Sequence, residues 1–398
     1  MNERLILLTD SGIRFYDGNK TSDITSSTLS GYLSRAREVE RSREWKSTGS
    51  GAVFMGTALP ADPPSSENIR SKVTCTAVLG NSLLYSLWID EFGGIYSKLS
   101  PDDTNEGVFW SDSGCRVKHF SVRGNRMAAA VSYGSEAHVA VFDGENMRQL
   151  TEGPSSESWP SFSELDPGYI YYGSSGFEID TASENSDEQR TFFPMFGMLT
   201  PSAPKKLGPS AIFRINTSTL EIDEILSDSK YNFEKPYHGR NGEIYFIKRP
   251  FSEKSGMKFS DILLAPARFI GAVGGFLNVF TMKYSGKTLT SSKGTKSKQK
   301  SEYDRIIEGN LINSEKELKS NRVYGDSDPG IIPRSFEFCA MSAQGDIKVL
   351  KKGVNAFSPI PGTDDFYVSN GSAVIRIYAD GHEEKICTQD GVYQIVTA

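Results

Sequence analysis

The chain has 398 residues, of which 37% are hydrophobic and 24% charged, and its formal net charge is −6. This composition is typical of a globular protein and excludes a disordered one. The acidic balance argues against nucleic acid as the main partner, because phosphate binding requires a broad basic surface.

Strands are predicted from the first residues onward. The apolar run Leu5–Leu8 is shorter than a signal-peptide core, so we predict a strand, no secretion signal and a cytoplasmic protein. The stretch 19–70 that follows is difficult to place. It holds a Ser/Thr-rich run, a charged segment at 35–43, a candidate strand at 52–55 and a loop at 60–68.

A repeated pattern then occupies most of the chain. His119-Phe120-Ser121, Ser161-Phe162-Ser163 and Ala356-Phe357-Ser358 are each followed by a turn and an aromatic or apolar strand. The spacing of the first two matches the roughly 40–45 residues of a four-stranded propeller blade. Each is followed by an alternating strand that ends in a turn, as in 138–144, 211–216 and 374–381.

The pattern predicts an all-β fold, a β-propeller of about six blades. Five blades are centred on 71–110, 115–151, 158–226, 232–352 and 354–388. The C-terminal strand at 392–396 is predicted to join the N-terminal strands in the remaining blade, because such closure removes exposed sheet edges.

One blade carries the clearest sequence signature. It reads Leu150-Thr151-Glu152-Gly153, then Trp159-Pro160-Ser161-Phe162-Ser163, then Gly168-Tyr169-Ile170-Tyr171-Tyr172. This segment resembles the TolB-like, WD-related propeller repeat, with the Pro-Asp-Gly of that repeat displaced to Asp166-Pro167-Gly168. The resemblance implies the propeller fold. Family members serve as binding platforms or as gates in front of hydrolase domains, and no hydrolase domain is found here.

An insertion divides the fifth blade. We expect its second strand at 243–248 and its third at 335–341, which gives a propeller in two parts, 1–250 and 333–398, around a helical insertion at 251–332. The apolar run 262–282 is predicted to be a helix, followed by a lysine-rich run at 283–300. A second, amphipathic helix is predicted at 301–319.

Three interpretations of the apolar helix remain open. It packs on the propeller, docks a partner protein, or lies on a membrane surface with the lysines beside anionic lipid. A further insertion at 176–209 holds an acidic stretch, 180–188, and an aromatic patch, 192–196. The predicted partner-binding residues come from both insertions: Leu263, Phe269, Ile270, Phe276, Leu277, Phe280, Phe193 and Phe196.

The order of motifs in the fifth-blade insertion adds a second resemblance. The apolar helix is followed by Lys283-Tyr284-Ser285-Gly286-Lys287, Gly309-Asn310-Leu311-Ile312-Asn313 and Pro333-Arg334-Ser335-Phe336-Glu337. This order resembles bacterial propeller proteins that accompany MoxR-type ATPases and von Willebrand A domain proteins, some of them in defence systems. The resemblance implies a scaffold or sensor that contacts such partners.

No motif for catalysis, metal binding or cofactor binding stands out. There is no Gly-x-Ser-x-Gly elbow and no Gly-rich phosphate loop. His119 lies in an apolar strand, where we expect a core histidine with satisfied hydrogen bonds. The four cysteines are far apart, which predicts free, mostly buried thiols: Cys75, Cys115, Cys339 and Cys387.

The favoured hypothesis is therefore a non-enzymatic protein-interaction scaffold or sensor without a cofactor. Two alternatives differ from it in class. One is a peripheral membrane protein anchored by the insertion, and the other is a propeller hydrolase or lyase with a site in the central channel.

Overall fold

A computed structural model describes residues 3–47, 69–90, 92–101, 103–134, 136–144, 146–178, 206–251, 304–307 and 310–398. Six antiparallel sheets of four or five strands form a six-bladed β-propeller, which confirms the predicted fold class. Two helices lie outside the blades in the described residues: α1 (Ser27–Ser47) and α2 (Ser314–Val323).

The first three blades contain four strands each. Blade 1 contains β1 (Leu5–Thr9), β2 (Gly12–Tyr16), β3 (Thr21–Ile24) and the last strand, β27 (Val392–Thr397). Blade 2 contains β4 (Ser71–Leu79), β5 (Ser82–Ile89), β6 (Phe92–Lys98) and β7 (Gly107–Ser113). Blade 3 contains β8 (Cys115–Arg123), β9 (Arg126–Tyr133), β10 (His138–Asp143) and β11 (Asn146–Gln149).

The remaining blades carry the insertions. Blade 4 contains β12 (Ser155–Phe162), β13 (Tyr169–Glu178), the short β14 (Lys206–Leu207), β15 (Ala211–Asn216) and β16 (Ile222–Leu226). Blade 5 contains β17 (Tyr231–His238), β18 (Ile244–Pro250), β21 (Glu337–Met341) and β22 (Ile347–Lys352). Blade 6 contains β23 (Ala356–Pro359), β24 (Phe366–Ser369), β25 (Ala373–Ile377) and β26 (Glu383–Thr388).

The ring closes as the sequence predicts. β27 pairs with β1 from Leu5↔Thr397 to Thr9↔Val392, so the C-terminal strand completes the blade that the N-terminus begins. The side chains of Leu5 to Leu8 are at most 1% exposed. Burial of each such side chain contributes about 1.5–3 kcal/mol, which makes this seam one of the most strongly stabilised parts of the fold.

The hydrophobic core is divided among the blade interfaces. Six clusters of buried side chains each fill the space between two neighbouring blades. Three of the four free cysteines, Cys75, Cys115 and Cys339, are buried and Cys387 is half-buried, which confirms the prediction for the thiols. Both faces of each inner strand are therefore covered, and a blade is stable only beside its neighbours.

Two regions differ from the sequence-based predictions. β19 (Asp304–Ile307) and β20 (Asn310–Asn313) pair as antiparallel strands, so the helix predicted at 301–319 is wrong over these residues, and α2 begins only at Ser314. In the stretch that was difficult to place, α1 begins where the carboxylate of Glu106 accepts from the backbone N–H of Thr28 at 2.6 Å. A carboxylate at this point accepts a hydrogen bond from one of the backbone N–H groups that have no partner within the helix, and its negative charge is favourable at a helix N-terminus.

The described part of the fifth-blade insertion packs against the propeller. Ile307 and Ile312 of the hairpin and Ile331 and Ile332 beyond α2 belong to the core cluster between blades 1 and 2. The backbone N–H groups of Ile331 and Ile332 donate to the carbonyl of Asn370 in blade 6. The described part of the insertion therefore contacts blades 1, 2 and 6.

Candidate functional site

All long connections leave the propeller at the same end. In every blade the innermost strand is β27, β4, β8, β12, β17 or β23, and neighbouring strands are antiparallel. The connections at 25–70, 179–210 and 251–336 therefore begin and end at the end of the propeller where the innermost strands begin, which we call the insertion face. At the opposite end, the turn face, the longest connection is 99–106.

The axis of the propeller is lined by irregular strands. Five of the six innermost strands contain a β-bulge, and the bulges leave one or two residues unpaired. We define the axial ring as one unpaired residue from each of these strands: Thr74, Lys118, Trp159, Lys235 and Tyr393. β-Bulges bend a strand and redirect side chains, so they are common beside functional sites.

Proline explains two of the bulges. Pro160 follows Trp159 and Pro236 follows Lys235, and proline has no N–H to donate to the ladder. Trp159 has a φ of +50° and Lys235 a φ of +55°. Such conformations cost a non-glycine residue on the order of 1–3 kcal/mol, so the surrounding contacts must hold them in place.

Hydrogen bonds connect the innermost strands around the axis. Ser161 Oγ donates to the carbonyl of Pro236 at 2.6 Å, and Lys235 Nζ donates to the carbonyls of Asn355 at 2.8 Å and Tyr393 at 2.7 Å. The remaining links are Tyr393 Oη to Val73 O at 3.2 Å, Thr74 Oγ1 to Val117 O at 2.6 Å and Lys118 Nζ to Ser156 Oγ at 3.1 Å. Every blade is thus joined to a neighbour through the axial ring.

An aromatic stack lies at the centre of this arrangement. The His119 imidazole lies 3.8 Å from the Trp159 ring at an interplanar angle of 23°, and Lys235 Nζ lies 4.4 Å from the centroid of the same ring. The Nδ1 atom of His119 is buried and has no hydrogen-bond partner. His119 is therefore packed inside the fold, as expected, but its Nδ1 atom lacks the hydrogen bond that the expectation included.

The axis carries an excess of positive charge. Burial lowers the pKa of His119 well below its usual value, and the charges of Lys235, Lys118 and Lys72 lower it further. Burial also lowers the pKa of Lys118, although Glu157 opposes this effect. His119 is consequently a neutral imidazole at neutral pH, beside ammonium groups.

A separate polar cluster joins blades 3 and 4. Glu157 is 3% exposed, and its carboxylate accepts from Ser155 Oγ at 2.6 Å and Ser174 Oγ at 3.3 Å, with His138 Nδ1 at 3.1 Å. Both oxygens of the carboxylate therefore have partners. This cluster stabilises the contact between the blades.

Two depressions lie between blades 5 and 6. A pocket of about 110 Å³ on the turn face contains Tyr237, Tyr245 and Arg240. A groove of about 270 Å³ on the insertion face contains Asp326, Asp328 and Glu383. These acidic groups are paired with Arg334, Lys385 and Lys351, so the Asp326–Gly330 segment is a turn held by ion pairs.

The residues predicted to bind partners lie outside the described part of the chain: Leu263, Phe269, Ile270, Phe276, Leu277, Phe280, Phe193 and Phe196.

Sequence reasoning missed Lys118 and Lys235 at the axis. The Trp-Pro and Lys-Pro dipeptides within strand patterns were the available signal, because proline inside a strand indicates a bulge. Neither described helix is long and apolar enough to cross a membrane.

Comparison with known proteins identifies propellers of similar architecture. TolB from Acinetobacter baumannii has a TM-score of 0.46 and 9% identity, over 99% of this chain and 66% of that one. A putative TolB from Agrobacterium tumefaciens has a TM-score of 0.40 and 9% identity, over 81% of this chain and 85% of that one. A putative 6-phosphogluconolactonase from Bacteroides uniformis has a TM-score of 0.40 and 9% identity, over 99% of both chains.

No family model and no curated protein matches the chain by sequence. The chain spans 66% of the length of the Acinetobacter baumannii TolB. At such identities, folds of this kind host unrelated functions, so an activity must be argued from this chain's own residues.

Proposed function

We propose that this chain is a non-enzymatic protein-interaction scaffold or sensor that binds partner proteins through its insertion face. The observation that best supports this proposal is that the long connections all begin and end at the same face of the propeller. The segments 179–205 and 252–303 both leave from and return to the insertion face, in neighbouring blades 4 and 5. These segments hold all the predicted partner-binding residues.

The rest of the fold fits a rigid platform. The axial ring locks the blades together, and the described part of the insertion packs on blades 1 and 2. A rigid scaffold that presents variable segments at one end is a common arrangement for binding, because loops supply the contacts and the strands hold them in place.

We further propose that the partners are a MoxR-type ATPase and a von Willebrand A domain protein, in a bacterial defence or stress system in the cytoplasm. The support for these partners is the resemblance in the 283–287, 309–313 and 333–337 segments.

Direct binding to purified partners tests both proposals. The intact chain is compared with a deletion of 257–282 and with Phe193→Ser/Phe196→Ser, using a MoxR-type ATPase and a von Willebrand A protein from the same genome. Leu99→Ser is the control, since Leu99 is 75% exposed on the turn face. We expect the deletion to abolish binding and Leu99→Ser to retain it, with unchanged thermal unfolding in each variant.

The outcomes test the named partners and the role of the insertion face separately. Failure of the intact chain to bind either protein contradicts the named partners. Partner proteins captured from the native host by the intact chain and by the deletion variant alike would contradict the role of the insertion face.

A further inference from the structure

An arginine stacked on a tryptophan lies at the insertion face, between blades 2 and 3. The guanidinium carbon of Arg116, at the start of β8, lies 4.0 Å from the centroid of the Trp88 ring, near the end of β5. Arg116 is exposed and Trp88 is half-buried. Stacking on an indole orients the planar guanidinium and leaves the N–H groups along its edge available to an acceptor.

The backbone of blade 2 fixes the position of this stack. Trp88 pairs with Gly93 in the neighbouring strand, and a Cβ atom on Gly93 would overlap the carbonyl group of Cys115, the residue directly before Arg116. Because Gly93 has no side chain, the two blades approach closely enough for Arg116 to cover the Trp88 ring. The stack therefore follows from the packing of the blades.

Other arginines of the chain that lie over aromatic rings also have a carboxylate partner. Arg334, for example, lies 4.7 Å from the centroid of the Tyr324 ring, and its Nη1 lies 2.7 Å from Asp326 Oδ1. The same combination of ring and carboxylate occurs at Arg126, Arg214, Arg249 and Arg376. Among the described residues, Arg116 is the one ring-stacked arginine with neither an ion pair nor a side-chain hydrogen bond.

The surroundings of Arg116 are basic. Lys72 is the cross-strand partner of Trp88 in blade 2. Burial lowers the pKa of Lys118, Glu157 opposes this effect, and the charge of Arg116 lowers the pKa further. The guanidinium and the Lys118 ammonium are therefore close enough to repel each other, and a negative charge beside Arg116 would relieve that repulsion.

The carboxylates at this end of blade 2 have other partners. Asp112 accepts a hydrogen bond from Tyr133 Oη at 2.9 Å, and Asp90 accepts one from the backbone N–H of Arg70 at 3.0 Å. Neither forms an ion pair with Arg116 in the described structure. The surface thus offers positive charge and unused donors, which is complementary to an acidic surface.

We propose that the Arg116–Trp88 stack receives an aspartate or glutamate side chain of an acidic partner protein. This inference rests on the proposed scaffold function and names the chemistry of one contact at the insertion face. A carboxylate at the edge of the guanidinium would complete the arrangement found at the other five arginines. Pairs of arginine and carboxylate are frequently bidentate, and tryptophan and arginine are enriched among the residues that dominate binding at protein interfaces.

Fluorescence anisotropy of a labelled hexaglutamate peptide, titrated with the full-length chain at constant ionic strength, tests the proposal. We expect saturable binding that Arg116→Gln weakens by about ten-fold, because charge-assisted hydrogen bonds are lost. Arg116→Lys keeps the charge without the planar fork and should also bind more weakly. Arg240→Gln removes the same charge from an exposed position on the turn face and should leave the affinity unchanged. Thermal unfolding should be the same for all these variants.

Several results would overturn the assignment. Absence of saturable binding, unchanged affinity in Arg116→Gln, or full affinity in Arg116→Lys each contradicts a carboxylate held by the guanidinium fork. An oligonucleotide of equal charge that binds as tightly as the peptide would indicate a general anion-binding surface. Tighter peptide binding by a chain that lacks 180–188 would assign Arg116 to the chain's own acidic stretch instead of to a partner.

The peptide titration and the partner-binding assay fail separately. The deletion of 257–282 retains Arg116 and Trp88, so it should bind the peptide as the intact chain does, even though it loses the partner proteins. Partner binding without peptide binding contradicts the acidic contact. Peptide binding without partner binding supports the acidic contact and contradicts the named partners.

Discussion

The ammonium of Lys235 lies 4.4 Å from the centre of the Trp159 indole ring, and both residues have positive φ angles. They occupy bulges in the innermost strands of neighbouring blades, each directly before a proline. The cation–π contact and the two carbonyls that accept from Lys235 offset the backbone strain. One side chain thereby joins blades 4, 5, 6 and 1 at the axis.

Replacement of this lysine should destabilise the propeller. We expect Lys235→Met to lower the free energy of unfolding by about 2–4 kcal/mol, because two buried carbonyls lose a charged donor. Urea unfolding followed by circular dichroism measures the change. Lys348→Met, in the same blade but exposed, should stay within about 0.5 kcal/mol of the original chain. Equal stability of the two variants would show that the axial contacts of Lys235 contribute little.

Stability should also depend on pH through His119. Its pKa is lowered in the folded chain, first by burial and then by nearby lysines, whereas in the unfolded chain it is about 6.5. Below about pH 6.5 the unfolded chain therefore binds a proton that the folded chain excludes, until the lowered folded pKa is reached. Stability from this group is complete above pH 6.5 and declines as the pH falls, by at most about 1.4 kcal/mol per pH unit.

His119→Phe isolates this contribution, because phenylalanine keeps the stacking on Trp159 and cannot titrate. We expect a shallower loss of unfolding free energy between pH 7.5 and 5 than in the original chain. His382→Phe, at an exposed position, should retain the original slope. Parallel curves for His119→Phe and the original chain would contradict a neutral, buried His119.

The N-terminal residues are tied to blade 6 by an arginine. Arg376 Nη1 lies 2.9 Å from Glu3 Oε1, and its Nη2 lies 2.6 Å from Asp365 Oδ2, with the three side chains 11–23% exposed. We expect Arg376→Met to lower the free energy of unfolding by about 1.5–3 kcal/mol, since it leaves the carboxylates of Glu3 and Asp365 without their cationic partner.

An exposed pair provides the matched control. Arg214 lies 2.8 Å from Asp223, with side chains 38% and 50% exposed, so Arg214→Met should cost less than about 1 kcal/mol. Chemical unfolding of both variants gives the comparison. A larger loss for Arg214→Met than for Arg376→Met would show that burial does not determine the strength of these pairs.

The blade boundaries were accessible to sequence reasoning because each blade repeats alternating strands and turn residues. The predicted centres at 71–110, 115–151, 158–226, 232–352 and 354–388 each fall within one observed blade. The helix predicted at 301–319 was wrong at 304–313, since Ile306, Ile307 and Leu311 fit helical spacing and hairpin alternation equally well. Glu308-Gly309 between the two strands was the competing turn signal.

The sequence by itself determined the repeat, a count of about six blades and the closure by the last strand, because these follow from local alternation and from the need to remove sheet edges. Only the tertiary structure decided that Lys118, His119, Trp159 and Lys235 meet on one axis. These residues come from three different blades, and local periodicity carries no information about which bulges face one another. The same holds for the insertion face, which arises from the direction of the strands around the ring.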